Sequence, residues 1–466
     1  MKTSVIKSTQ ELKQAIIDME KMLLENAIRW ARETFQCILE QIDFIIQRHR
    51  PAALRIMHKR STWYQTWLGL IRVTRRQYKS PDGEYRYLLD ELMGMDKYRH
   101  ATLAVKEIAL RLAGEMPFRK SAEILSKTTP INLSHQTIHR FAQAAIAGSQ
   151  DASDIATTWF EETGELPQSE GKKVNRLMIE ADGVMLPLQR EERRKAEIKL
   201  GIAYEGWKRV GKDRYSTVNK TFHADITDTD HFWTGMTLKL HQKYDLSGTQ
   251  HVVGGDGASW IKEGINYFGG QYQLCRYHLN RTLCHALGHD QETLRMVQHH
   301  CKRGDLDSAF AQLKEAACRA KGDKAKDIKA AIRYVKSNAL GLKDYRENSN
   351  QDGTSLRRTG AIEGNIDKLI VRRMKNQGMS WSLEGIRRML WLRINIREGT
   401  LANCLRSCRC ETASIPPSKK QVNRVISRIM KYDYASYFSA GLPALSGPHA
   451  SRYWVEMLKS LTRIAV

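Results

Sequence analysis

The chain has 466 residues, of which 41% are hydrophobic and 27% charged. At roughly 100 to 200 residues per domain that length suits about three domains, and the composition excludes wholesale disorder and low-complexity or collagen-like classes. Lys and Arg outnumber Asp and Glu by 75 to 51, a net charge of +24, so the expected partner is a polyanion, with nucleic acid ahead of an anionic membrane. No apolar run approaches the ~20 residues of a spanning helix. The start, MKTSVIKSTQELKQ, lacks an apolar signal core, so a cytoplasmic location without membrane association is expected.

Eight cysteines are scattered along the chain, unlike the dense pairing of a small secreted scaffold, and reduced thiols are expected. The cluster Cys404, Cys408 and Cys410 lacks the repeated C-x2-C spacing of zinc signatures, so no structural metal is expected there.

In chain order, residues 9–48 read as one long helix, because Ile28, Ala31, Phe35, Ile38, Ile42 and Ile45 recur at alternating spacings of three and four without Pro or Gly. Such a seam either pairs with a second subunit as a coiled coil or packs on its own chain. The segment 66–89 reads as a hairpin around a Pro81-Asp82-Gly83 turn, made basic by Arg72, Arg75, Arg76 and Lys79. Three helical stretches follow in 102–147, the last opened by Ser134 as an N-cap. The short link TTPIN before it suits a helix-turn-helix, which would put Gln136, Thr137 and Arg140 at DNA base edges; a plain three-helix bundle is the alternative.

After the polar stretch 161–175, the runs 176–188, 196–207 and 216–226 have strand length and polar turns between them, so a sheet domain starts near Val174. A helix over 230–244 leads to the strand HVVGGDGASWI, and QYQLCRYHL reads as one further short strand that would carry His278. Residues 285–341 read as helical throughout. A loop then leads to AIEGNIDKLIVRRMKNQ, which resumes as helix. The mixture is α/β. The regions read are 1–50, a long helix for oligomerisation; 51–150, a basic hairpin and helix-turn-helix; 174–284, the first part of an α/β core; 285–350, an all-helical insertion; 351–400, closing helices; and 401–466, a C-terminal region.

Three acids stand in apolar contexts at strand or helix ends: Asp182 after LMIEA, Asp256 after HVVGG, and Glu363 near the start of a strongly basic helix. Magnesium prefers one or two carboxylates plus phosphate oxygens, and a two-metal site clamps both oxygens of an in-line displacement. A turn Asp after a strand is more often just a turn former, so spacing alone does not settle a catalytic role. Glu180 would face the same way as Asp182 in a strand and competes for the first position. Asp367 lies one helical turn after Glu363, where a salt bridge with the abundant arginines is the simpler reading.

The stretches IEADGV, GDGASWI followed by CRYHLNR, and AIEGNIDKLIVRRMKNQGMSWS resemble the three catalytic blocks of bacterial insertion-sequence transposases of the Lre-2 type (uncharacterised protein family 0236), a group similar to mutator-like transposases. The similarity runs from YRYLLDELMGM to LPALSGPHASRYW, most of the chain. It implies a ribonuclease-H-like core with an all-helical insertion between the second acid and the third, a catalytic and metal-binding triad of Asp182, Asp256 and Glu363, and Mg2+ or Mn2+ as cofactor. Trp260, Cys275 and His278 match further family positions as supporting residues, and a chemical duty carries over more safely to His278 than to Cys275. Cys275, His278, Cys284 and His285 match no closed zinc pattern.

The activity implied is DNA transposition, with double-stranded DNA as partner, a homo-oligomer as the expected assembly, and Lys368, Arg372 and Arg373 on the basic helix as DNA contacts. A nuclease or resolvase on the same fold, or a domesticated DNA-binding regulator, are the rival readings.

Overall fold

The computed structural model describes residues 2–95, 101–166, 171–212, 214–348, 356–376 and 378–407. The chain divides into two compact units, residues 1–105 with 125–132 and 409–466, and residues 106–124 with 133–408. The division falls inside the stretch 51–150 that the sequence groups as one region. Of the cysteine cluster, Cys408 and Cys410 lie outside the described residues.

The first unit begins with α1 (Lys2–His49), a single helix as the seam predicts. Its C-terminal half is fixed by burial: Leu39, Ile42 and Ile46 join Tyr64, Ile71, Val73, Tyr78, Leu88 and Leu89 in one core. Its N-terminal half leaves Ile16, Ile17, Leu23 and Leu24 exposed. The hairpin against it differs from the expected one. It consists of β1 (Arg55–Thr66) and β2 (Gly69–Lys79), antiparallel, with Thr66 paired to Gly69 across a two-residue turn. Gly69 has φ +98 and the Thr66 hydroxyl donates to its carbonyl, a backbone that favours glycine.

The Pro81-Asp82-Gly83 turn does exist, but it leads only to the two-residue β3 (Tyr85–Arg86), followed by α2 (Leu88–Leu92). β1 escaped the sequence reading because seven of its twelve residues are exposed, five of them polar, so apolar alternation is absent.

Of the four cations that make the hairpin basic, two are spent internally. Arg75 is buried against Asp90 at 2.6 Å, and Arg76 is held by Asp43. Glu40 and Asp43 of α1 also accept the backbone N–H groups of Thr74 and Arg76, satisfying the edge of β2 that β1 leaves open.

Next come α3 (Leu103–Glu115), α4 (Phe118–Thr128) and α5 (His135–Thr163), the three helices the sequence anticipates. The Ser134 hydroxyl caps α5 by accepting from the Thr137 N–H at 3.1 Å.

The second unit is built on a five-stranded sheet. In chain order its elements are β4 (Lys172–Lys173), β5 (Arg176–Pro187), β6 (Lys195–Tyr204), β7 (Trp207–Arg209), β8 (Tyr215–Thr217), β9 (Thr221–Asp225), α6 (Thr229–Lys243), β10 (Tyr244–Asp245), β11 (Gln250–Gly255), α7 (Ser259–Lys262), α8 (Gly264–Phe268) and β12 (Gln271–Leu274). The main sheet has the order β12-β11-β5-β6-β9. β11 runs parallel to β5 and β12, while β6 is antiparallel to both β5 and β9. Numbered along the chain, these five strands are ordered 3-2-1-4-5 with only the second reversed. The fold is therefore α/β.

β5 is buried on both faces along Arg176–Ala181, as expected of a central strand with parallel neighbours. Leu177, Ile179 and Ala181 join Phe232, Trp233 and Met236 of α6 in the core.

That core continues without a break into α9 (Arg276–Leu287), α10 (Gln291–Arg303), α11 (Leu306–Arg319) and α12 (Asp323–Ser337), through Leu283, Val297, Leu313 and Val335 among others. This is the expected helical insertion. It starts earlier than predicted: the apolar run of QYQLCRYHL ends as strand at Leu274, and Cys275 already caps α9, so His278 lies in the first turn of a helix and not on a strand.

The chain returns in α13 (Ala361–Ile366), whose last turn passes into a π-helical segment, Asp367–Lys375. The Asn376 N–H there bonds the carbonyl of Val371, the i→i−5 bond of that geometry. α14 (Leu383–Glu398) and α15 (Leu401–Ser407) close the described chain. The buried Arg393 of α14 donates to the carbonyls of Lys368 and Leu369 and to that of Gly114, supplying donors to backbone oxygens that a widened helix and a helix C-terminus leave short.

Candidate active site

The strand pairing creates the site. β11 pairs with β5 up to Gly254 opposite Glu180, and then its ladder ends. Beyond that point β5 continues beside β6 alone, with Asp182 opposite Leu200. Asp182 thus lies in mid-strand, not at the strand end the sequence suggested, but just past the place where its parallel neighbour stops. Asp256 follows immediately after β11. Gly255 cannot be larger, because a Cβ would meet the Ala181 carbonyl at 2.9 Å and Ile261 at 2.6 Å. The close approach of the two strands depends on it.

Each acid is fixed locally. The Gly183 N–H donates to Asp182 Oδ1 at 2.7 Å, and the Ala258 N–H donates to Asp256 Oδ1 at 2.9 Å. Gly257, between Asp256 and Ala258, has φ +101 and leaves no room for a Cβ beside Asn338. The helical insertion reaches this turn, for the Tyr334 hydroxyl donates to the Asp256 carbonyl at 2.5 Å.

Burial first, and then the charges of Asp256 and Glu363, push the Asp182 carboxyl up from 3.8 to about 6, against the pull of the Gly183 N–H and of His278. The three acids named from the sequence therefore feel one another. Like charges in a half-buried cleft are costly without a counter-cation.

Glu180 has another duty. It is fully buried, accepts from the Tyr204 hydroxyl, and receives the N–H groups of Gly360 and Ile362 on Oε2, both at 3.0 Å. A strand carboxylate thus caps the N-terminus of α13, the helix that carries Glu363. Burial raises its carboxyl above the usual range. Both Glu180 oxygens are thus occupied by donors, and its place is under the helix that carries Glu363, whereas Asp182 accepts from the Gly183 N–H. The sequence signal was its i, i+2 relation to Asp182; the tyrosine and the two backbone donors carried none.

Glu363 is contacted by the two residues of the Cys-x2-His pair. The Cys275 thiol donates to Glu363 Oε1 at 3.0 Å, and His278 Nδ1 lies 3.5 Å from the same oxygen. Burial and this hydrogen bond push the Cys275 thiol up to about 12. Cys284 and His285 are exposed, nearly two turns beyond His278 along α9, and take no part.

Trp260 packs edge-on against Phe232, and its carbonyl accepts from Trp233 Nε1 at 2.7 Å. Its role is to seat the turn after Asp256 on α6.

The DNA-contact candidates separate. Gln136 and Arg140 are exposed and Thr137 half-buried at the start of α5, where Gln136 and Arg140 line a depression of about 260 Å³ with Phe118, His135, His139 and Gln143. Lys368 and Arg372 are exposed, although Arg372 pairs with Asp367 at 2.7 Å, the salt bridge expected for that acid. Arg373 is a correction: it is 4% exposed, donates to the Ala113 carbonyl at 3.1 Å and lies over the Trp381 ring, so it holds α3 to the π-helical segment and offers nothing to solvent. Lys220 was missed. Burial and the charges of Lys368 and Arg397 depress its amine, so these three cations lie close enough to feel one another.

With this geometry in view, the sequence comparisons are direct. Residues 11–409 match the model of the Uncharacterised protein family (UPF0236). The chain belongs to that family. A UPF0236 protein of Caldanaerobacter subterraneus subsp. tengcongensis, whose name joins eleven locus tags beginning with TTE0033, is 27% identical over 82% of this chain and 78% of its own length. UPF0236 protein TTE2489 of the same organism is 25% identical over 89% of this chain and 86% of its own length.

Proposed function

We propose that this UPF0236 protein is a DNA transposase that binds the ends of an insertion element and cuts and joins DNA strands at Asp182, Asp256 and Glu363. The observation that carries the reading is the convergence of these acids, from β5, the end of β11 and the start of α13, on one half-buried cleft where Asp182 is lifted to about 6 by burial and by the other two. Three supports stand beside it. The strand order 3-2-1-4-5 with the second strand reversed suits the ribonuclease-H-like core that the sequence resemblance implies. The helical insertion lies between the second acid and the third. And the relative named above carries one name over eleven loci of one genome, the distribution a self-copying element leaves.

The donor set fits Mg2+ or Mn2+: hard carboxylate oxygens, two of them already held by backbone N–H groups, in a cleft with a charge deficit. Such a cation supplies Lewis acidity and charge neutralisation at a phosphodiester when bound. The chain does the rest. Glu180 and the Gly360 and Ile362 N–H groups hold Glu363 in place, Tyr334 fixes the Asp256 turn, and burial keeps the acids from diffuse hydration. Water then displaces the 3′-oxygen of a scissile phosphodiester, and the freed 3′-hydroxyl attacks a target phosphodiester, releasing a new 3′-end.

Binding draws on exposed cations. Residues 51–79 contain no acid and, besides the inward-paired Arg75 and Arg76, five exposed Lys or Arg, and Arg72 and Trp63 stand opposite each other and exposed on the ribbon of β1 and β2. A two-stranded ribbon or an α-helix fits a major groove. Together with the start of α5, this gives two candidate DNA-reading elements. The exposed apolar positions of α1 suit pairing with a second copy. The protein would work in the bacterial cytoplasm on the nucleoid; no helix among the described residues is long and apolar enough to cross a membrane.

The test uses the full chain, Mg2+ and DNA carrying the inverted repeats that flank the coding region. Cleavage at the repeat and joining of its 3′-end to a second DNA are expected from the wild type. Asp182→Asn, Asp256→Asn and Glu363→Gln should lose both while still binding. Cleavage without joining would make the protein a nuclease or resolvase, and binding without either would make it a regulator.

A further inference from the structure

Cys275, His278 and Glu363 form a second constellation at this site, with different chemistry from the carboxylates. Their ligand atoms all lie within 4.8 Å of one another. Two of the separations are specific: Cys275 Sγ to Glu363 Oε1 is 3.0 Å and His278 Nδ1 to the same oxygen is 3.5 Å. Bond lengths of roughly 2.3 Å to sulfur and 2.0 to 2.2 Å to nitrogen and oxygen, at tetrahedral angles, put neighbouring ligand atoms about 3.3 to 3.7 Å apart. Those two separations are thus near the spacing of neighbouring atoms in a tetrahedral shell before any ion is considered.

Two further features point the same way. His278 Nδ1 is buried and finds no hydrogen-bond partner among the described residues, an expensive state for an imidazole nitrogen that a metal bond would relieve. Cys275 is 3% exposed and its thiol already donates to the Glu363 carboxylate, so two of the atoms an ion would bridge meet in the protein interior, away from bulk water.

We infer that Cys275, His278 and Glu363 bind a divalent transition metal of the zinc class through thiolate, imidazole and carboxylate, leaving a fourth position open. Three protein ligands and one open position is the pattern of catalytic rather than structural zinc sites, and a thiolate ligand selects against Mg2+. The sharing of Glu363 makes this site adjacent to the carboxylate cleft, with Asp182 close enough to His278 to feel its charge. The inference concerns the metal-binding chemistry of these three side chains and does not need the protein to be a transposase. If it is one, one of its cation positions takes a softer ion than the hard Mg2+ of an all-carboxylate site.

Cobalt is the probe, because a Co2+–thiolate bond gives an intense near-ultraviolet charge-transfer band that carboxylates and imidazoles do not produce. The measurement uses the full chain carrying Cys408→Ser and Cys410→Ser, which removes the other cysteine cluster as a source of the band. One equivalent of Co2+ should give the band with tetrahedral visible absorption, millimolar Mg2+ should leave it in place, and Zn2+ should displace it stoichiometrically. Cys275→Ser should abolish the charge-transfer band and weaken Co2+ binding ten-fold or more, roughly 1.4 kcal/mol. His278→Ala should weaken binding similarly while the band persists at saturating Co2+. Far-ultraviolet circular dichroism of each variant checks that it is folded; if Cys275→Ser unfolds, Cys275→Ala and the loss of the band in folded His278→Ala/Glu363→Gln protein give the same reading.

A band that survives in folded Cys275→Ser protein, its absence from the starting protein, or its displacement by Mg2+ would each overturn the inference. Mg2+-dependent strand cleavage without any cobalt band leaves the transposase reading standing and removes this site. A cobalt band without cleavage does the reverse.

Discussion

Replacing Asp182 by Asn should make the metal-free protein more stable, although it removes a residue assigned to catalysis. The carboxyl is raised from 3.8 to about 6, by burial first and by Asp256 and Glu363 after it. Each pKa unit is worth about 1.4 kcal/mol, so the ionised group costs at most ~3 kcal/mol, and solvent screening of a partly open position brings this to about 1–3 kcal/mol. The sign follows from proton binding. Between pH 3.8 and about 6 the folded protein keeps a proton that the unfolded chain releases, so stability falls as pH rises through that window, and above it the full cost is present.

Asn keeps the oxygen that accepts the Gly183 N–H and loses only the charge. Thermal unfolding in EDTA should therefore show Asp182→Asn melting several degrees above wild type at pH 8, with the gap roughly halved at pH 5. Millimolar Mn2+ should raise the wild-type melting point and leave the variant's nearly unchanged. A variant that melts at or below wild type at pH 8 would mean that the acids are not gathered in one cleft, and the case for a cation there would fall with it.

Three other expectations concern neighbouring side chains. Glu180→Gln should lower stability by about 1–3 kcal/mol, because a neutral amide accepts less strongly from Tyr204, Gly360 and Ile362; strand cleavage should slow while DNA affinity stays the same, and an unchanged rate would show that the α13 cap does not govern Glu363. Lys368→Ala should weaken binding to all DNA sequences and reduce the slope of log affinity against log salt by about 1 with no change in melting point, whereas Arg373→Ala should lose about 1–3 kcal/mol of stability and keep the wild-type slope; the opposite pattern would return Arg373 to the DNA surface. Gln136→Ala and Arg140→Ala should each reduce the preference for element ends over random DNA by ~1–3 kcal/mol, measured by competition binding, and equal losses on both DNAs would remove α5 as a reading helix.

The parts of this architecture that were legible in the sequence are those where one segment suffices to state the pattern. α1, α5, the strands β5, β6 and β11, and the helical insertion each carry their own apolar period, cap or breaker. β1 did not, because its exposed face is a run of Arg, Lys and His and its buried residues cluster at one end in Tyr64, Gln65 and Thr66; only the partner strand makes it a strand. The end of β12 was misplaced for a related reason. QLCRYHL is as apolar as a strand, and the helix it opens is announced by no Ser, Thr, Asp or Asn but by Cys275.

Charge was the least legible property at the level of single residues. The excess of 24 cations is a property of the whole chain, and it was carried over to each basic residue near Glu363 as though all of them faced outward. In the fold, Arg373 and Arg393 turn inward to cap the carbonyls of α3 and of the π-helical segment, the buried Arg75 is held by Asp90, and the half-buried Arg76 is held by Asp43. The same logic applies to the acids. Glu180 and Asp182 differ by two positions on one strand and by nothing in their local sequence, yet one is consumed by two backbone donors and a tyrosine while the other is left facing Asp256 and Glu363. What separates a brace from a ligand is how many donors the rest of the chain has already aimed at it. Those donors come from residues 204, 360 and 362, up to 182 positions away. An acid with few donors and charged neighbours is therefore the better candidate for chemistry than an acid in a suggestive sequence context, and by that measure Asp182 has more to gain from a bound cation than Glu180.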